Sequence, residues 1–123
     1  MKFKLSLVAG IALAGALGIQ TAMAECDYPS PPAAAPNGAT ATREEMLTGM
    51  AAIKGYNAKV DEYLSCLDAE SAAQIVLAGD DKNQVKQIRE LAAKKHNAAI
   101  DEMQAHADEF NQQLHAFNDK HKT

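Results

Sequence analysis

From Met46 to Leu67 a seam that is apolar but for one residue keeps a strict beat. Met46, Met50, Ile53, Asn57, Val60, Leu64 and Leu67 recur with alternating steps of four and three. A chain with that spacing forms a helix that lies along another helix. A second seam starts with Val85, Ile88 and Ala92 and continues as His96, Ile100, Met103, Ala107, Phe110, Leu114 and Phe117. Joining its two parts takes consecutive steps of four, which predicts a stutter near Ala92–His96. Between the seams, Gly79-Asp80-Asp81 supplies a C-terminal glycine cap and then an aspartate N-cap. Two long helices joined by so short a turn pack antiparallel, so facing residues should have numbers that sum to about 160. Met46 then faces Leu114, Met50 faces Phe110, Val60 faces Ile100 and Leu64 faces His96. Leu47, Tyr56 and Tyr63 widen the first stripe on its flank.

The start of the first helix is marked by Thr42-Arg43-Glu44-Glu45, a capping box with Thr at the cap and Glu three residues on. Gly49 and Gly55 weaken this helix locally, each by up to ~1 kcal/mol, without ending it. Upstream, residues 27 to 39 hold all four prolines of the chain. They exclude helix and favour an extended polyproline-type path, and Asn37-Gly38 marks a turn at its end.

The first 24 residues read as a secretory leader. Lys2 and Lys4 open it, Leu5 to Ile19 carries no charge, and Ala22-Met23-Ala24 offers the small residues a signal peptidase requires. The apolar run is short of the roughly 20 residues of a membrane span, and no second one follows. Glu25 in front of Cys26 is too large and charged for a lipidated cysteine, so cleavage after Ala24 and a lipid-free start at Glu25 are expected. Removal of Lys2 and Lys4 takes the formal charge from −4 to −6. A mildly acidic chain with scattered signs argues against nucleic acid and anionic lipid as partners.

The exported part holds two cysteines, Cys26 and Cys66. In an oxidising compartment they allow one intramolecular pairing, which is expected; the alternative is free or intermolecular thiols. The geometry permits the bridge. The helix from residue 43 to 66 advances ~35 Å, and the stretch from Cys26 to Thr42 can span ~50 Å as polyproline. The arm can therefore run back along the first helix. Tyr56 and Tyr63, one heptad apart, are either the flank it covers or ordinary half-exposed helix residues.

Candidate chemistry is sparse. The histidines are His96, His106, His115 and His121, and no His-x-x-x-His, His-Glu-x-x-His or Cys-x-x-Cys pattern joins them. His115 and Asp119, one helical turn apart with His121 just beyond, form a candidate weak metal site; a solvated helix end is the competing reading. Met46 and Met50 have thioether spacing for Cu(I), but Met103 falls ~10 Å further along the helix, so all three read as core filler. Asn57 is the one polar residue on its seam; a lone seam Asn fixes register at some cost in stability. No nucleophile elbow or phosphate loop is present, and a disulfide would consume both thiols.

The order Cys26, proline-containing spacer, Gly38-Ala39-Thr40-Ala41-Thr42, then Tyr63-Leu64-Ser65-Cys66-Leu67 resembles a group of small exported proteins of proteobacteria. In these a Cys/Pro-rich arm precedes a helix that ends in Tyr-Leu-x-Cys-Leu. Asn37 departs from the group's pattern, which has an acidic residue before the glycine. The resemblance covers about a third of the chain and carries no activity; it implies the disulfide, the helix start and a Gram-negative periplasm.

The expectation is an all-α protein: a leader over 1–24, a proline-rich extended arm over 25–41, and an antiparallel two-helix hairpin over 42–119 with its turn near 79–81. The arm is tied back by Cys26–Cys66. A non-enzymatic structural or protein-interaction role in the periplasm leads, without a cofactor. A homodimer or a partner helix would cover stripes too wide for one hairpin to bury. The rivals are a periplasmic chaperone-like binder of unfolded chains and a weak metal-binding stress protein.

Overall fold

The computed structural model describes residues 25–122; the leader expected over 1–24 lies outside the described residues. Helix α1 runs over Arg43–Ala78 and helix α2 over Lys82–Lys120, so the two are ~54 and ~58 Å long at 1.5 Å per residue. They pack against each other as a hairpin.

Each end of the hairpin is built by the residue its backbone requires. Thr42 caps α1: its hydroxyl accepts from the Glu45 amide at 3.2 Å, while the Glu45 carboxylate accepts from the Thr42 amide at 2.7 Å and from its hydroxyl at 3.0 Å. These bonds from Thr42 hold the Glu45 carboxyl below its ordinary range. At the far end Gly79 takes φ 56°, a left-handed conformation that costs glycine nothing. Asp81 then accepts from the amides of Asn83 and Gln84 and starts α2.

The arm is the third wall. It runs antiparallel to α1 and alongside α2, from the Cys26–Cys66 disulfide back to the Asn37 turn. In that turn the Asn37 side chain accepts from the Ala39 amide, and its carbonyl accepts from Thr40 and Ala41. An acidic residue there would offer the same acceptor. Gly49, expected as a weak point of the helix, is the seat of the Pro36 ring: a Cβ there would come within 2.9 Å of Pro36 and 3.0 Å of the Phe110 ring. Gly38 lies directly on α2. A Cβ on it would overlap the Gln113 carbonyl, and its amide donates to the Gln113 side chain at 2.9 Å. The Lys120 ammonium closes the same end by donating to the Ala39 carbonyl at 2.8 Å.

The core forms two clusters. One joins Ala41, Met46 and Phe110, with Ala35, Met50, Ile53, Leu114 and Phe117 packed against them. It unites the residues that the register pairs at this end. The other joins Tyr56, Val60, Tyr63, Leu67 and Ala99, with Cys26, Leu64 and Met103 against them. Here the structure corrects the heptad reading. Ala99 is fully buried with Val60, whereas Ile100, the expected partner of Val60, is only half-buried. A heptad seam describes two helices alone. The arm turns the tyrosine flank of α1 into core as well, so α2 presents a residue one position nearer that flank, and a small one because two tyrosines fill the space. Leu47 does not share the flank; it is 54% exposed. The covered line is Gly49, Tyr56 and Tyr63.

Two glycines, one in the arm turn and one inside α1, predict opposite outcomes. Gly38→Ala, in the arm turn, should push that turn off α2 and make residues 27–39 protease-sensitive. Gly55→Ala, where nothing lies within 4 Å of the added methyl, should stabilise the protein by about 0.5–1 kcal/mol. Thermal melts and limited proteolysis check both.

Candidate functional site

A cluster of polar and aromatic side chains from three elements lies where the arm meets both helices. The Cys26–Cys66 bond brings the start of the arm to α1. Two residues on, the Tyr28 ring meets the Tyr63 ring edge-on, with centroids 5.0 Å apart. Edge-to-face contact of this kind adds about 0.5–1.5 kcal/mol beyond the area it buries. The Tyr28 hydroxyl donates to the Glu102 carboxylate of α2 at 2.6 Å and lies 3.3 Å from the Tyr56 hydroxyl of α1. A hydroxyl has one proton, so with that proton on Glu102 it is Tyr56 that donates to Tyr28. The Tyr56 ring stands edge-on to His106 at 5.3 Å. The His106 Nε2 lies 3.8 Å from the second oxygen of Glu102, one helical turn away.

Two phenols, a carboxylate and an imidazole thus come together from three elements. Tyr56 is buried; Tyr28 is 41% exposed and opens the cluster to solvent. Burial, the hydrogen bond to Glu102 and the hydrogen bond to Tyr56 all push the Tyr28 phenol far above its ordinary range. A phenol with its pKa raised in the docked arm favours docking below about pH 10, the ordinary tyrosine value. That contribution fades as the pH rises above it.

The expected site residues fare differently. Cys26 and Cys66 are bonded, and no free cysteine exists among the described residues. Asn57 stands on the seam as expected, and its side-chain oxygen is buried without a hydrogen-bond partner. His115, Asp119 and His121 do not converge. Asp119 pairs with Lys122 at 2.8 Å, and the His121 ring stacks on Phe117 with its Nδ1 2.7 Å from the Phe117 carbonyl. Among the described residues no three His, Cys, Asp or Glu side chains gather into a metal-ligand set. Met46 and Met50 belong to one core cluster and Met103 to the other.

Sequence reasoning passed over Glu102 and His106. Their spacing of four was visible, and the register sets His106 nearly opposite Tyr56. What was missing is the position of Tyr28, which only the docked arm supplies. Comparison with known proteins finds no matching family, no matching curated protein and no matching solved structure.

Two outcomes follow from this geometry. Reducing Cys26–Cys66 should leave far-UV helicity nearly unchanged in the cold, because the seams hold the helices. It should also free residues 27–39 to proteases and return the latest-ionising tyrosine to about pH 10 in an absorbance titration. Asn57→Leu should raise the unfolding free energy by about 1–3 kcal/mol, the cost of a buried unpaired acceptor, as measured by urea unfolding.

Proposed function

We propose that the chain is an exported, non-enzymatic interaction protein of the bacterial periplasm, and that its working surface is the half of the hairpin beyond the arm. One observation carries this reading. Among the described residues every buried apolar side chain lies beside the arm, within 41–67 or 99–110, and no residue from 68 to 98 is buried. In that distal half Val76 and Leu77 are 78% and 80% exposed and Leu91 is 55% exposed. Large apolar side chains gathered on one end of a small protein mark a contact surface. The disulfide is compatible with an oxidising compartment.

The charge pattern favours a second copy as the occupant. Beyond Lys59, α1 carries Asp61, Glu62, Asp68 and Glu70 and no base. The first turns of α2 carry Lys82, Lys86, Arg89, Lys94 and Lys95 against Glu90 alone. No ion pair joins the two helices among the described residues. With a two-fold axis along the hairpin, the acidic helix of each copy lies over the basic helix of the other, a self-complementary contact.

Sedimentation of the disulfide-bonded chain from Glu25 onward should show a dimer. The double substitution Leu77→Asp and Leu91→Asp should convert it to a monomer of unchanged helicity, and added salt should weaken the dimer. A monomer that suppresses aggregation of an unfolded client would transfer the surface to the chaperone-like reading. A monomer that does neither would overturn the interaction reading.

A further inference from the structure

The cluster at the arm junction does more than hold the arm. We propose that Tyr28, Tyr56, Glu102 and His106 form a binding site for a hard trivalent cation such as ferric iron. The inference is independent of the interaction reading, which concerns the other end of the hairpin.

The first argument is spacing. A small hard ion holds oxygen donors at about 2.0–2.1 Å in octahedral geometry, which sets neighbouring donors about 2.9 Å apart and opposite ones about 4.1 Å apart. The Tyr28 oxygen is 2.6 Å from one Glu102 oxygen and 3.3 Å from the Tyr56 oxygen. The His106 nitrogen is 3.8 Å from the other Glu102 oxygen. The two Tyr28 separations lie within a few tenths of an ångström of the neighbouring-donor value, and the His106 separation lies as near the opposite-donor value. The second argument is donor type. Oxygen donors with a single imidazole and no sulfur select hard, highly charged ions over copper(I) or zinc.

The third argument is charge balance. Binding exchanges the two phenol protons for the ion and releases them to solvent. The two phenolates and the Glu102 carboxylate then carry three negative charges against the three positive charges of the cation. His106 binds as the neutral imidazole. No electron is transferred. A divalent ion would leave this donor set with a net negative charge. In the metal-free protein the two hydroxyl protons take the place of the ion, and the hydrogen bonds from Tyr56 to Tyr28 to Glu102 keep the donors assembled. The exposed side of Tyr28 and Glu102 is the way in.

The site also depends on the arm. Tyr28 is the one donor outside the helices, and it lies two residues from the disulfide. Opening Cys26–Cys66 should therefore weaken metal binding.

The test is a titration of the disulfide-bonded chain from Glu25 onward with ferric nitrilotriacetate, followed by visible absorbance. A phenolate-to-iron charge-transfer band that saturates in proportion to the chain is expected. Tyr28→Phe and Tyr56→Phe should each remove much of the band, and the double variant all of it. Glu102→Gln and His106→Ala should weaken binding at least about tenfold. Tyr63→Phe should keep the band, because the Tyr63 hydroxyl takes no part in the cluster. Far-UV spectra confirm folding, and Tyr28→Phe, at an exposed position on a disulfide-held arm, serves even where Tyr56→Phe does not fold. Absence of the band from the unsubstituted protein would overturn the proposal, as would its persistence in folded Tyr28→Phe at full intensity and unchanged affinity.

Discussion

A stretch of chain with few apolar side chains lies ordered against two helices because one covalent bond holds its beginning. Fixing each residue of such an arm costs about 1–2 kcal/mol of backbone entropy. Prolines reduce that cost, since their φ is already restricted in the unfolded chain. The disulfide closes a loop across a sequence separation of 40, which in the chain-entropy model stabilises by up to ~4 kcal/mol. The remaining contacts are small and depend on the bond for their register: Pro36 seated on Gly49, Gly38 against Gln113, Tyr28 between Tyr63 and Glu102. The two aromatic residues of α1 that would otherwise face water become core for the same reason.

The arm divides the hairpin into unequal halves. Beside it the helices have three walls and two core clusters. Beyond Leu67 and before Ala99 they have two walls, and two helices in contact cannot close over their own side chains. The same seam pattern therefore gives a packed end and an open end. The packed end gathers the phenols, the carboxylate and the imidazole. The open end gathers exposed leucine and valine between an acidic helix and a basic one. A protein of this size carries both without interference because α1 and α2 separate them along their length.

Much of this fold was legible in the residue order. The capping box at Thr42 and the glycine and aspartate of the turn are local signals, and the structure has each of them; the heptad seams mark the right helices but misplace the packed residue of α2 beside Val60. Cys26 and Cys66 could be paired from their number and from the reach of the intervening chain. Two of the errors share one cause: the Val60–Ile100 pairing and the reading of Gly49 as a mere weakness treat the hairpin as two helices alone. Leu47 was a matter of helix phase, since nine residues from Tyr56 is half a turn away, on the other side of α1. The arm shifts the packed face of α2 to Ala99 and gives Gly49 a proline ring to receive. The candidate ligands His115, Asp119 and His121 were chosen by helical spacing, yet Asp119 pairs with Lys122 and His121 turns onto Phe117.

The sequence by itself determined what depends on neighbours along the chain: helix spans, caps, the turn, the antiparallel sense and the single available disulfide. Periodicity and backbone chemistry act over a few residues, so they can be read from order alone. Only the tertiary structure decided which groups meet across the arm. Tyr28, Tyr56, Glu102 and His106 are brought together by the rotation of α2 and the depth at which the arm lies. Those depend on the packing of side chains from three elements at once, and no spacing within one element encodes them.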